Sequence, residues 1–159
     1  MIRFTVVNAT EVQAQISETP VGIRERMVAA INTVNTQLQR HIVSDKLSGQ
    51  VLKSHTGNLK RSIVQIPAVI EGDTLRGGVG LGSEAPYGLI HEFGGTIHVP
   101  EITPVNARAL HWIGKDGASV FAMRVKAHDV VMPERSFMRV AFAEFTERIE
   151  AAIRRAATE

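Results

Sequence analysis

His91 and Glu92 are the residues of this chain whose types and spacing come closest to a catalytic motif. A His-Glu pair begins the zinc-protease motif His-Glu-x-x-His, in which both histidines bind the metal and the glutamate acts as a base. Gly95 occupies the position of the second histidine, so that metal site is incomplete. A hydrolase without a metal would need His91 and Glu92 to converge with a nucleophile such as Ser83. A small hydrolase that uses His91 and Glu92 is therefore one alternative function.

The rest of the sequence offers few other groups for chemistry. The run Gly77–Gly82 lacks both the Gly-Lys-Ser/Thr of a phosphate-binding loop and the spacing of a dinucleotide fingerprint. The absence of cysteine excludes a disulfide scaffold, a thiol nucleophile and a thiolate metal site. The six histidines show no metal-ligand spacing with one another. We therefore expect no metal, no cofactor and no enzymatic activity.

Charge is unevenly distributed, although the formal net charge is only +2. Arg40–Arg61 carries five basic residues and one acidic residue, whereas Ser62–Glu92 carries four acidic residues and one basic residue. Such patches are either solvated or complementary to a surface on a neighbouring copy or on nucleic acid. The basic stretch contains no aromatic residue on which bases could stack. A basic DNA-binding module that contacts phosphates is a second alternative function.

A loop is predicted at about residues 44–56, where few apolar anchors are available. Because ordering costs roughly 1–2 kcal/mol per residue, we expect this loop to be mobile in the free subunit. Its lysines could contact the phosphates of DNA, and its apolar residues could instead pack on a neighbouring subunit. The five candidate contact residues are Lys46, Leu47, Val51, Leu52 and Lys53.

Two long amphipathic helices are predicted. The first runs from Pro20 to about Ser44, with proline at the first helical position and apolar residues every three or four positions. Its opposite side carries Asn32, Asn35 and Gln39, which we expect to face solvent. The second helix begins near Phe137 with a wide apolar stripe and becomes polar toward the end of the sequence. These two helices should cover a sheet.

Strand patterns lie between the helices. Ile63–Ile70 and Thr74–Gly82 are joined by a short polar turn and predict a hairpin. Ala109–Ile113 and Ala118–Lys126 are joined by a turn that contains Asp-Gly, a strong hairpin signal. Thr96–Val99 predicts one further strand. All of these strands are expected in antiparallel pairing.

Shorter elements complete the prediction. Ile2–Val7 is rich in strand-forming residues, and Thr10–Ser17 is consistent with a short amphipathic helix. Pro86–Gly95 has the proline start and glycine stop of a short helix. We expect Leu89, Ile90 and Phe93 to turn toward the core on that helix, with Tyr87 close to the same face.

The predicted fold class is α+β, an antiparallel sheet with two long helices packed on one face. We expect a single domain over residues 1–159, with the mobile loop at about 44–56. No stretch approaches the roughly 18 or more apolar residues of a membrane span, so no membrane association is expected.

Three segments of the chain carry a resemblance to a known family. They are Thr56–Ile63, which reads Thr-Gly-Asn-Leu-Lys-Arg-Ser-Ile, Pro86–Gly95, which reads Pro-Tyr-Gly-Leu-Ile-His-Glu-Phe-Gly-Gly, and Met132–Ala141, which reads Met-Pro-Glu-Arg-Ser-Phe-Met-Arg-Val-Ala. In this order they resemble the tail-completion (neck, minor tail component) proteins of tailed bacteriophages. Members of that family tend to show Thr-Gly-x-Leu-x-x-Ser, Tyr-Ala-x-x-x-Glu-Phe-Gly and Pro-x-Arg-Pro-Phe-Leu segments.

The match departs from the family pattern at three positions. Gly88 stands where alanine is usual, Ser136 where the second proline is usual, and Met138 where leucine is usual. These changes leave the starts of the two helices intact. The positions that match the family motifs are Gly57, Leu59, Ser62, Tyr87, Glu92, Phe93, Gly94, Pro133, Arg135 and Phe137.

The resemblance implies a structural virion protein, made in the host cytoplasm and located in the tail neck. It implies a tail terminator-like component that forms a ring of copies, with a hexamer as the expectation, at the head–tail junction. The implied partners are other copies of the chain and the neighbouring connector, tail terminator or tail tube proteins. Non-specific contact with DNA passing through the ring is a further expectation. The resemblance does not settle which tier of the neck the chain occupies.

Overall fold

The computed structural model describes residues 3–7, 11–15, 20–53 and 55–158. Within them the helices are α1 (Val21–His41), α2 (Asn58–Arg61), α3 (Tyr87–Phe93) and α4 (Met138–Thr158), and α1 continues into a π-helical turn at Ile42–Lys46. The strands are β1 (Arg3–Val7), β2 (Glu11–Gln15), β3 (Ile63–Glu71), β4 (Thr74–Leu81), β5 (Gly95–Val99), β6 (Leu110–Ile113), β7 (Ser119–Ala122) and β8 (His128–Met132).

The described residues form two compact units. Unit 1 consists of the residues up to Phe93 together with those from Glu134 onward, and unit 2 consists of Gly94–Pro133. All four helices belong to unit 1. That the whole of residues 1–159 forms a single domain stays a prediction.

Unit 1 is built on a four-stranded antiparallel sheet in the order β1-β2-β4-β3. Helix α1 packs against β3 and β4, and α4 packs along α1. The two long helices are antiparallel, because Arg26 near the start of α1 bonds the carbonyl of Ala156, whereas His41 at its end bonds Glu144. The predicted α+β class, with antiparallel strands and two long helices packed together, is confirmed.

The core of unit 1 lies where these helices and strands meet. Each apolar side chain that is fully removed from water there contributes about 1.5–3 kcal/mol relative to exposure. The largest of these side chains are Phe137, Met27, Ile31, Leu38, Ile42, Leu47, Ile63, Leu75, Ile153 and Val79.

The polar side of α1 corrects one prediction. Strand β3 shifts register between Ile66 and Val69, which interrupts its pairing with β4. Asn35 is buried and donates to the carbonyl oxygen of Ile66 at 3.4 Å, and Asn32 accepts from the amide of Ala68 at 2.8 Å. Buried backbone groups must find partners, and α1 supplies them here. The prediction that Asn32, Asn35 and Gln39 simply face solvent is therefore wrong, since Gln39 also donates to a β3 carbonyl.

Two strands were missed. Glu11–Gln15 pairs with β1 on one side and β4 on the other, so the helix predicted for Thr10–Ser17 is wrong over its described part, and its ends lie outside the described residues. Forming a single turn of helix is unfavourable because nucleation fixes several residues for one hydrogen bond. The hydrogen bonds of this segment to strands on both sides favour the strand instead. The run Ala118–Lys126 is not one strand, because β7 ends at Ala122 and β8 follows it. Strand β8 pairs with β5, far away in sequence.

Unit 2 contains two antiparallel pairs, β5 with β8 and β6 with β7. The predicted Asp-Gly turn joins β6 to β7, and Gly117 there has a φ of 80°, which favours glycine. None of the residues Gly94–Pro133, all of which the structure describes, is fully buried. Two-stranded pairs of this kind are at best marginally stable by themselves in water.

Candidate functional site

The side chain of Glu92 lies at the start of α4 and is only 2% exposed. One carboxylate oxygen accepts from the backbone amides of Phe137 and Met138 at 2.8 and 2.9 Å. The other accepts from the amide of Arg139 at 2.9 Å and from the hydroxyl of Ser136 at 2.7 Å. The first amides of a helix have no partner within the helix, and a negative charge there also interacts favourably with the helix dipole. Glu92 therefore caps α4 from a different helix.

Arg139 completes the surroundings of this carboxylate. Its Nε lies 3.2 Å from Glu92, and a terminal nitrogen lies 2.6 Å from Glu134. The hydrogen bond to Glu92 is the main reason why the pKa of Arg139 lies above its ordinary value. The guanidinium group also lies over the ring of Phe93, 4.9 Å from its centroid. The charged side chains of Glu92, Glu134 and Arg139 are thus held together where α3 meets the start of α4.

Helix α3 turns a different side inward from the one predicted. Leu89 and Phe93 are 55% and 58% exposed, and the buried residues of α3 are Gly88 and Glu92. The expectation that Leu89 and Phe93 face the core is therefore wrong. The physical reason is that the inward side of α3 must deliver the carboxylate to α4, and Gly88, four residues earlier, shares that side.

Gly88 also explains a departure from the family pattern. A Cβ atom at this position would lie 3.0 Å from side-chain carbons of both Leu59 and Leu81. Alanine at this position would require the ends of these leucine side chains to shift by a few tenths of an ångström, whereas glycine fits against them as they stand. This contact joins the second motif segment to the first.

The first and third segments are ordered by local contacts. Gly57 precedes α2 with a φ of 76°, Leu59 is buried, and the hydroxyl of Ser62 donates to the carbonyl of Leu59 at 2.8 Å. In the third segment the amide of Arg135 donates to the carbonyl of His91 at 2.7 Å. This backbone hydrogen bond joins the third segment to α3 just before α4 begins.

The remaining motif positions differ in burial. Phe137 is completely buried, Tyr87 is 42% exposed, and Pro133 is exposed. Gly94 has a φ of 68°, so glycine is favoured where α3 ends.

The catalytic convergence required by a hydrolase is not formed among the described residues. Glu92 bonds Ser136 and α4 rather than His91 or Ser83. Nδ1 of His91 is buried and has no hydrogen-bond partner among the residues that the structure describes. Although His91 and Glu92 are adjacent in sequence, their side chains do not contact the same groups.

The five candidate contact residues of the 44–56 loop separate into two groups. Lys46, Leu47 and Leu52 are buried, and Val51 packs against the core, so these four are held inside the subunit. Lys53 is exposed and is the candidate that is placed to meet a partner. The chain begins this stretch as the π-helical turn rather than as a loop. Its mobility in solution stays a prediction.

Lys46 belongs to a charged cluster that the sequence analysis missed. Its ammonium group lies 2.6 Å from Glu144, and the two ring nitrogens of His41 each lie 2.6 Å from a carboxylate, those of Asp45 and Glu144. Lys46, and then His41, lower the pKa of Glu144 by hydrogen bonding. The hydroxyl of Ser44 and then His41 lower the pKa of Asp45. The His41–Asp45 spacing of four residues was a local signal, whereas Glu144 is distant in sequence.

Comparison with protein-family models, with curated proteins and with solved structures finds no match to this chain. Among the described residues, no group of three or more acidic or histidine side chains is arranged to hold a metal ion. No helix in the described part of the chain is long and apolar enough to cross a membrane.

Proposed function

We propose that this chain is a structural virion protein of a tailed bacteriophage, a tail-completion or neck component that forms a ring at the head–tail junction. The observation that carries the proposal is the contact between the motif segments. Glu92, from the second segment, caps the helix that the third segment begins, and Gly88 packs on Leu59 of the first. Residues that resemble family motifs therefore act together as one structural unit.

The exposed surface of unit 2 supports assembly. In the β6–β7 pair, Trp112 lies opposite Val120 and Leu110 lies opposite Ala122, which places four apolar residues on one face. On the other face Phe121 is 69% exposed. The exposed apolar residues of this pair are Trp112, Ile113 and Phe121, and contiguous exposed apolar surface marks interaction sites. We propose a hexameric ring of identical copies, as the family resemblance implies, since a head-to-tail interface that does not close continues as a filament.

The hydrolase alternative is not favoured by the geometry. A general base needs a free acceptor within reach of the proton that it removes. Both oxygens of Glu92 already accept hydrogen bonds from α4 and from Ser136. A non-enzymatic role is therefore part of the proposal.

Electron microscopy of phage particles carrying labelled protein tests this function. We expect the label at the head–tail junction, and quantitative mass spectrometry should give a copy number consistent with a ring. Particles that lack the protein, or that contain a single copy, would contradict the proposal.

A matched pair of variants tests the assembly surface. Phe121→Ser should keep the melting temperature and lose incorporation into particles, whereas Lys115→Ser, in the β6–β7 turn, should be incorporated normally. Equal incorporation of the two variants would exclude the Phe121 face of the β6–β7 pair as the interface.

A further inference from the structure

Unit 1 contains a cavity of about 400 Å³ whose wall carries positive charge. Its charged and polar lining comes from three separate segments of the chain. Lys53, His55 and Thr56 precede α2, Tyr87 and His91 belong to α3, and Arg135 precedes α4; Leu52 and Leu59 supply the apolar part. None of these lining residues is acidic.

The cations of this cavity lack partners within the described part of the chain. Some basic side chains of the helices are paired with carboxylates, as Lys46 is with Glu144 and Arg139 is with Glu92. Lys53 and Arg135 have no carboxylate partner among the described residues. Two unpaired cations at one concave site attract an anion more strongly than two separate surface charges do.

The backbone holds the lining residues in place. Lys53 follows the buried Leu52 and forms an antiparallel bridge with Ser48. The amide of Arg135 is bonded to the carbonyl of His91, which fixes where the guanidinium group begins.

Neutral donors accompany the cations. The hydroxyl of Thr56 accepts from the amide of Asn58 at 3.4 Å, which leaves its own proton available for donation. The rings of Tyr87 and His91 meet edge to face with centroids 6.3 Å apart, and the phenolic hydroxyl of Tyr87 is a further donor.

We propose that this cavity is a binding site for a phosphate group. A guanidinium fork, an ammonium group and hydroxyl donors that approach from different segments suit an anion with several acceptor oxygens. The phosphate is either a free or terminal phosphate or a phosphodiester of a nucleic-acid backbone. The inference goes beyond the proposed ring, because it concerns one subunit and holds for any oligomeric state.

Titration of the ¹⁵N-labelled protein with inorganic phosphate, followed by two-dimensional NMR, tests the site. We expect saturable shifts of the amides of Thr56, Tyr87 and His91, and sodium acetate at matched ionic strength should not reproduce them. Arg135→Gln and Lys53→Gln should each weaken phosphate binding roughly tenfold, as expected for loss of a charge-assisted hydrogen bond. The same spectra show whether each variant is folded.

The controls and a second ligand complete the test. Arg108→Gln and Lys115→Gln remove exposed cations from unit 2 and should leave phosphate binding unchanged. Arg135→Lys keeps the charge but loses the guanidinium fork, so it should bind phosphate more tightly than Arg135→Gln and less tightly than the wild-type protein. If a short single-stranded DNA oligonucleotide displaces phosphate from these residues, the ligand is a backbone phosphodiester; if it does not, the ligand is a free or terminal phosphate. Shifts that do not saturate, or equal losses in the control variants, would overturn the proposal.

Discussion

Replacing Glu92 by glutamine tests the cap of α4 with almost no change in side-chain volume. The amide nitrogen of the new side chain must take the place of one oxygen. If the nitrogen replaces Oε2, it faces the amides of Phe137 and Met138. If it replaces Oε1, it faces the amide and the Nε–H of Arg139. Either orientation leaves two N–H donors without an acceptor, each at a cost of about 1–3 kcal/mol. Loss of the negative charge at the helix start adds about 0.3–1 kcal/mol.

We therefore expect Glu92→Gln to lower the free energy of unfolding by about 2–7 kcal/mol, a large part of the roughly 5–15 kcal/mol of a typical domain. Urea denaturation followed by circular dichroism at 222 nm measures it, because the helices of the described chain lie in unit 1. Glu134→Gln is the matched control: its side chain is 56% exposed although it also pairs with Arg139. That exposed pair should contribute less than about 1 kcal/mol. If the two variants lose the same amount, the cap does not stabilise α4 as argued.

Two further predictions concern the core and the charged cluster. Phe137→Ala should cost about 3–5 kcal/mol through lost burial and a cavity, whereas Arg154→Ala, at a side chain that is 75% exposed, should cost less than about 0.5 kcal/mol; equal denaturation midpoints would contradict this placement of the core. The pKa of Glu144 is lowered in the folded state by Lys46 and His41, so its contribution to stability is present above the unfolded-state pKa and is lost as pH falls through the folded-state value. Glu144→Gln should therefore be less stable than the wild-type protein near neutral pH, and urea midpoints should converge below about pH 4.3; a difference that is constant across this range would refute the assignment.

Local signals in the sequence were sufficient to predict the helices and the turn whose conformation depends on neighbouring residues. The proline before α1, the apolar periodicity of α1 and α4 and the Asp-Gly turn each predicted an element that the structure contains. These signals act within a few residues, where backbone preferences and helix periodicity decide the conformation.

The failures share a different physical origin. Glu92 bonds Phe137 across 45 positions, and Asn35 bonds Ile66 across 31, so neither role leaves a local trace. Both residues supply hydrogen bonds to backbone groups that secondary structure leaves unpaired, at the start of α4 and at the irregularity of β3. Lys46 is similar, since its burial depends on Glu144 from another helix. Sequence patterns lead us to expect that polar residues are exposed. A polar residue can nevertheless be buried when a distant residue supplies its hydrogen-bond partner, and the sequence does not show that partner.

The bonds between α3 and the start of α4 also define an insertion point in the chain. Unit 2 leaves after Phe93 and returns at Glu134, and the bonds from His91 and Glu92 to the residues just beyond hold those two ends together. The hydrogen bonds of this closure are made entirely by residues of unit 1, whereas Gly94, at the first position of unit 2, ends α3 with a positive φ. We therefore expect that the segment between Gly94 and Pro133 can be exchanged for one of different length and surface while α4 keeps its start. Natural variation in such a protein would be concentrated in this segment, and its partners could change without redesign of the helices that support it.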